Sequence, residues 1–321
     1  MEKKSTRKPR APKKEAVKPA VFRSGFVALV GRPNVGKSTI LNYFVGQKIS
    51  IVSSVPQTTR HQIKGILNIP DGQIVFVDTP GIHSFKDPLA DQLNTIAKQS
   101  TEGCDLILYV VDVTRNVGKE EEDIVSFLVR QHVPVIMALN KIDLKQEFLS
   151  SYVEYWKQKL QEFGIQKDPL LYFLPLSARE GTNMADLKKL LIESLSEGPA
   201  FYDTSTATDF PLKFRVADAI REKLFCTLAA ELPHSLAVEV AEMQDKGKIY
   251  FIKGIIYVNR ISQKKIVIGT KGALLKEIGT QARYQVEKII GKKVYLELWV
   301  EIMEDWQNKP RILQELGYWL T

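Results

Sequence analysis

The chain has 321 residues, 44% hydrophobic and 26% charged, enough apolar material for the cores of two ordinary domains. No apolar run approaches the ~18 residues of a membrane span, and the charged N-terminus lacks the apolar stretch of a secretory signal. Cys104 and Cys226 stand far apart with no histidine or cysteine beside them. That excludes a disulfide framework or a clustered metal site and makes a reducing cytoplasm the expected setting.

The net charge of +8 is uneven. Residues 1–20 carry eight basic and two acidic side chains, a local +6, so the remaining 301 residues sum to +2. Rich in Pro and Ala and poor in large apolar groups, residues 1–21 are expected to form a disordered basic extension. Two readings of it stay open: contact with nucleic-acid phosphates, or a solubilising tail without a specific partner.

From Phe22 onward, the apolar runs Gly25–Val30, Ile74–Val77, Leu106–Val113, Val133–Leu139 and Leu170–Leu176 alternate with helical stretches. This pattern predicts an α/β domain over 22–198, with a mainly parallel sheet flanked by helices. Directly after the first run comes Gly31-Arg32-Pro33-Asn34-Val35-Gly36-Lys37-Ser38, a complete G-x-x-x-x-G-K-S between strand and helix. Its glycines let the backbone wrap closely around phosphate oxygens, and the helix N-terminus adds N–H donors. Asn34, Val35, Gly36 and Thr39 then belong to the cradle, Lys37 reaches the β/γ-phosphates, and Ser38 ligates Mg²⁺.

The run Ile74–Val77 leads into Asp78-Thr79-Pro80-Gly81. Asp78 suits the acidic partner of Mg²⁺, and Gly81 can bring its N–H to the γ-phosphate. After the fourth run stands Asn140-Lys141-Ile142-Asp143, at a strand end where open α/β sheets bind ligands. The Asp143 carboxylate can accept two hydrogen bonds from guanine, whereas adenine would leave it unpaired, a discrimination worth roughly 10⁴–10⁵-fold. Lys141 can lie over the purine, Asn140 can tie this loop to the phosphate loop, and Ser177-Ala178-Arg179 can offer an N–H to guanine O6.

These motifs, in this order, resemble those of the translation-factor-related GTPases. The resemblance makes Ser53–His61 the switch segment, in which one threonine ligates Mg²⁺ only when γ-phosphate is present. Thr59, directly before Arg60, is the candidate, with Thr58 the alternative; Lys37, Thr59 and Gly81 form the catalytic set. Ile82 replaces the glutamine that orients water in Ras-like enzymes and cannot hydrogen-bond water, so slow intrinsic turnover is expected. Asn34 resembles the asparagine of GTPases that use K⁺ in place of an arginine finger.

A helix from Asp186 to about Ser196 precedes a polar linker, 199–211. The remainder, 212–321, reads as an α+β module: a helix over Arg215–Glu231, strands at Ser235–Met243, Ile249–Asn259 and near Lys265–Ile268, a helix over Leu274–Ile290, and a strand at Val294–Met303. Between the third of these strands and the following helix lies Gly269-Thr270-Lys271-Gly272. Such a G-x-x-G loop is what KH domains use to clamp about four nucleotides of single-stranded RNA. Residues 246–293 carry twelve Lys/Arg against Glu277 and Glu287, an electrostatic footprint for nucleic acid. Lys264, Ile268, Gly269, Thr270, Lys271, Gly272 and Lys276 are the candidate RNA contacts.

With both halves read, residues 22–318 resemble the Era family of bacterial GTPases. The resemblance rests on Gly31–Ser38, Gln57-Thr58-Thr59-Arg60-His61, Asp78–Gly81, Asn140–Asp143, Ser177-Ala178, Glu231-Leu232-Pro233-His234-Ser235, Ile268–Gly272 and Lys292–Val300. It implies a P-loop GTPase domain followed by a type II KH domain, binding GTP or GDP with Mg²⁺. It further implies a monomer that binds the 3′ end of 16S ribosomal RNA, assists assembly of the 30S subunit and associates loosely with the inner membrane. The basic extension is not part of the family pattern; a transit peptide is the rival reading, opposed by Glu2, Glu15 and the scarcity of serine. Two rival functions follow from the residues. A GTPase acting in tRNA modification or membrane trafficking is opposed by the basic stretch Lys264–Lys276. A passive RNA-binding module is opposed by the intact set Lys37, Ser38, Asp78 and Asp143.

Overall fold

The computed structural model describes residues 21–52, 59–81, 88–228, 232 and 235–318. The basic extension 1–20, Gln57, Thr58, Ile82, Glu231, Pro233 and His234 lie outside the described residues.

The first domain carries six strands: β1 Arg23–Val30, β2 Ile63–Ile69, β3 Gly72–Asp78, β4 Leu106–Asp112, β5 Val135–Asn140 and β6 Leu170–Leu176. They form one sheet in the order β2-β3-β1-β4-β5-β6, parallel except where β2 runs antiparallel to β3. Every residue of β3, β4 and β5 is buried, which is why these segments read as unbroken apolar runs. β2 carries no such run. It is an edge strand with Lys64 and Asn68 among its residues, so only part of it is covered.

Helices α1 (Lys37–Val45), α2 (Pro88–Gln99), α3 (Lys119–Leu128), α4 (Leu149–Glu162) and α5 (Met184–Ser194) flank this sheet. One apolar layer gathers Ile40, Leu41, Leu187 and Leu191 against strand residues, and the opposite layer gathers Ile124, Leu128, Tyr152 and Trp156. Residues 199–211 lie along the sheet edge. Ile66 N–H donates to Ala207 O (2.9 Å), Thr208 Oγ1 donates to Lys64 O (2.6 Å), and Gln73 Oε1 accepts from the amides of Phe201 and Tyr202. The exposed ladder of β2 is thereby covered.

The second domain runs α6 (Leu212–Thr227), β7 (Leu236–Asp245), β8 (Ile249–Val258), α7 (Ile261–Ile268), α8 (Ala273–Ile290), β9 (Lys293–Ile302) and α9 (Pro310–Glu315). The sheet order is β7-β8-β9, antiparallel then parallel, with α6, α7 and α8 closing one core around Ile220, Ile252, Ile256 and Ile278.

One element differs in kind from the sequence reading. The expected strand near Lys265–Ile268 is the last turn of helix α7. The β-branched run Ile266-Val267-Ile268 suggested a strand, but Val267 alone of the three is buried, while Ile266 is exposed. The start of α7 is fixed by Gln263, whose Oε1 accepts from the amides of Asn259 (2.9 Å) and Arg260 (3.0 Å). The G-x-x-G loop therefore joins two helices.

The domains share a core. Leu89, Leu93 and Ile96 of α2 pack with Ala237, Tyr257, Trp306, Leu313, Leu316 and Tyr318. Beside this cluster, Arg60 is fully buried, donating from Nη1 to Leu236 O (2.8 Å). His61 Nε2 lies 2.9 Å from Leu316 O and Nδ1 lies 3.5 Å from Asp218 Oδ1. A carbonyl can only accept, so Nε2 carries the hydrogen. Among the described residues, no helix is long and apolar enough to cross a membrane.

Candidate functional site

The phosphate loop follows β1 and ends at the N-terminus of α1. Gly36 has φ 110°, and a Cβ there would lie 2.2 Å from Asn140 Nδ2, so both the turn and the close approach require glycine. The Lys37 ammonium bends back onto Gly31 O and Arg32 O, each at 2.9 Å. Burial pushes it down to about 8, against the pull of Asp78. A cavity of about 80 Å³ is lined by Pro33, Asn34, Gly36, Lys37, Ser38, Thr39, Thr59 and Gly81. The loop's backbone and this ammonium suit it to an anion.

Three sequence candidates for the metal meet here. Ser38 Oγ donates to Asp78 Oδ2 (2.8 Å) and lies 3.2 Å from Thr59 Oγ1. Ser50, which the sequence reading missed, donates to the same Oδ2 at 2.8 Å. Asp78 Oδ1 is buried with no hydrogen-bond partner among the described residues. Burial pushes the Asp78 carboxyl above its ordinary value, opposed by Lys37 and the serine hydroxyls. Hard oxygen donors around an orphaned carboxylate oxygen fit a small divalent cation. No local motif announced Ser50; it arrives because Asn42 holds the turn after α1, with Oδ1 accepting from the amides of Ile49 (2.8 Å) and Ser50 (3.0 Å).

At the other end, one side chain ties three loops. Asn140 Nδ2 donates to Val35 O (2.7 Å) and Oδ1 accepts from Ala178 N–H (3.0 Å). The Ser177 N–H donates to Thr182 O, so a purine oxygen reaching Ala178 would share that amide with Asn140. Lys141, at φ 72°, donates to Asp112 Oδ2 (2.6 Å). Burial pushes the Asp112 carboxyl up, yet Lys141 and Thr114 hold it below its ordinary value. Asp143 is exposed beyond them.

A second site lies in the other domain. Gly269 (φ 71°), Lys271 (φ 51°) and Gly272 (φ 77°) turn the chain between α7 and α8, and a Cβ on Gly269 would meet Leu274 Cβ at 2.6 Å. Beside the loop, a groove of about 350 Å³ has an apolar floor of Leu275, Leu296 and Leu298 and a basic rim of Lys276 and Arg283. Lys276 and Gly272 line it, whereas Lys264 and Ile268 stand on α7. Gly279, Thr280 and Arg283 were missed; their spacing from Lys276 at three, four and seven residues places them on one helix face, which is the signal for them.

A GTPase family model described as "50S ribosome-binding GTPase" matches residues 26–141, and a KH domain model matches residues 231–307. The GTPase Era of Geobacter metallireducens is 41% identical over 301 residues, covering 92% of this chain and 98% of that protein. The chain belongs to the Era family of GTPases. GTPase Era of Heliobacterium modesticaldum is likewise 41% identical, with 92% and 97% covered. A crystal structure of an Aquifex aeolicus Era variant bound to GDP and AlF₄⁻ superposes with a TM-score of 0.86 at 39% identity, covering 93% of this chain and 100% of that one. A second Era structure, in complex with MgGDPNP and nucleotides 1506–1542 of 16S ribosomal RNA, superposes with a TM-score of 0.85 at 38% identity and the same coverage. Hydrolysis of GTP is the activity of this family, and the chain is a GTPase.

The Asn140 bridge yields a quantitative expectation. Asn140→Ala removes two buried hydrogen bonds, each worth about 1–3 kcal/mol when its partner is left unpaired. GDP affinity, measured by calorimetry, should then fall about a hundredfold; unchanged affinity would show that the three loops hold their places without it.

Proposed function

We propose that this chain is a GTP-driven switch that binds the 3′ end of 16S ribosomal RNA and assists maturation of the small ribosomal subunit. The observation that carries the switch is the continuity of Thr59, Arg60 and His61. Thr59 lies against Ser38, while the next two residues are fixed inside the second domain. The RNA target is supported by the basic groove beside Gly269–Gly272 and by the related Era structure that contains this RNA.

Ser38, Thr59 and Asp78 would hold Mg²⁺, which supplies charge neutralisation at the phosphates. Lys37 swings from the carbonyls of Gly31 and Arg32 to the β/γ-phosphates, while Gly81 offers its N–H to the γ-phosphate. Asn140, Lys141, Asp143 and Ala178 hold the base. Thr59 is drawn toward the γ-phosphate and moves Arg60 and His61 with it, which shifts the RNA-binding domain. Cytoplasmic residence, with loose contact at the membrane face, and a monomeric state rest on the family resemblance.

Affinity for a short RNA copying the 16S 3′ end tests this reading, compared with a scrambled RNA at fixed salt. Binding at least tenfold tighter with a non-hydrolysable GTP analogue than with GDP is expected. Equal binding in both states would remove the switch; binding no better than the scrambled RNA would remove the target. Asn34, held at φ 64° in the loop, is the proposed partner of a catalytic K⁺. Turnover should accordingly rise when Na⁺ is replaced by K⁺, and equal rates would exclude that role.

A further inference from the structure

Away from both sites, a cavity of about 490 Å³ opens where the turn after α1 meets α6 and α8. Four cations line it, Lys48, Arg215, Lys223 and Lys288, and no carboxylate does. Behind the wall, buried Glu222 takes Lys48 at 2.5 Å and Lys223 at 3.4 Å. That accounts for one of the four charges. Arg215 and Lys288 have no acidic partner among the described residues, and Arg215 Nε is buried without a hydrogen bond. Burial pushes the Arg215 guanidinium below its ordinary value, and no carboxylate among the described residues opposes it.

A half-buried guanidinium without a partner is costly, and a phosphate matches its fork of donors. Tyr284 stands 55% exposed at the cavity's edge, with Arg283 Cζ 4.8 Å from its ring centroid. Arg283 also lines the groove beside Gly272. Helix α8 thus carries the groove on one face and this cavity on the next, joined through Arg283 and Tyr284. From Lys276 to Lys288 the track runs about 18 Å along the helix.

We propose that this cavity is a second RNA contact: it takes a backbone phosphate of the strand held in the G-x-x-G groove, with an adjoining base stacked on Tyr284. This rests on the RNA reading of the groove. Lys276 and Arg283 on the groove and Lys288 on the cavity follow one another along α8, and such a series of cations suits a polyanion. An exposed tyrosine beside them is the stacking surface that single strands use. Because Lys48 belongs to the GTPase domain and the other cations to the second domain, RNA bound here touches both.

The test uses the full chain with Mg²⁺ and a GTP analogue, and two RNAs. One fills the groove alone, about four nucleotides; the other is the same sequence extended on both sides. The double variant Arg215→Gln/Lys288→Gln should weaken the extended RNA at least tenfold and leave the minimal RNA within about twofold. The slope of log affinity against log salt should fall by about 0.7 for each phosphate that the variant no longer neutralises. Tyr284→Leu should weaken the extended RNA and Tyr284→Phe should not, and GDP affinity should be unchanged in all three variants. Wild-type affinity of the double variant for the extended RNA, or equal weakening on both RNAs, would overturn the proposal. So would saturable binding of inorganic phosphate that Arg215→Gln abolishes while extended-RNA affinity is kept. Failure of the wild-type chain to bind either RNA better than a scrambled one would overturn the RNA reading itself, and this proposal with it.

Discussion

Arg60 constrains the whole molecule. It follows directly on the threonine that faces Ser38, yet its guanidinium is fully buried in the other domain, within 5.6–5.7 Å of the ring centroids of Phe225, Trp306 and Tyr318. Desolvating a guanidinium is expensive, so the aromatic faces and the Leu236 carbonyl that receive it must stay in place. Next to it, Arg221 pairs with Asp218 at 2.8 Å and donates to Tyr318 OH at 2.7 Å, while His61 spans Asp218 and Leu316. A buried network of this kind is satisfied only as a unit. The chain after Thr59 therefore cannot shift without carrying α6 and the C-terminal segment along.

The nucleotide end has the opposite character. Lys37 and Asp78 are both buried, and burial works against charge on each: the ammonium is pushed down and the carboxyl up. Each group offsets only part of the other's burial, and a phosphate chain and a divalent cation would add the remaining counter-charge. In the proposed switch, binding gives both groups closer partners, and Thr59, 3.2 Å from Ser38 and directly before Arg60, is the residue that would pass the change on. Helix α2, which begins seven residues after Gly81, packs its Leu93 and Ile96 into the same interdomain cluster. The chain after Thr59 and the helix after Gly81 thus end on one core.

The sequence was most legible where one local rule decides the outcome. Gly31–Ser38, Asp78–Gly81 and Asn140–Asp143 could be placed because each sits at the end of an apolar strand, and the strands show as runs since both faces are covered. Legibility failed where tertiary contacts decide. Ile266-Val267-Ile268 has strand-like composition, but the Gln263 cap and the burial of Val267 alone make it helix. Ser50 reaches Asp78 through a turn shaped by Asn42, which no short motif encodes. The burial of Arg60 and His61 in the second domain was equally hidden, since the carbonyls of Leu236 and Leu316 that receive them lie 176 and 255 residues further along the chain. The polar stretch 199–211 reads as linker, and that Ala207 O and the Thr208 hydroxyl bind the β2 edge is a contact its composition does not announce.

The most direct test of this account is reciprocal linkage in Arg60→Met, a replacement that fills the same aromatic site without charge. The measurement is the ratio of GTP-analogue to GDP affinity, with and without saturating RNA, in wild type and variant. By linkage, RNA must change that ratio by the factor by which nucleotide state changes RNA affinity. The account predicts a factor of at least ten in wild type and near one in Arg60→Met, with RNA and GDP each still bound. An undiminished factor in the variant would contradict it and place the coupling outside the Thr59–Arg60 connection.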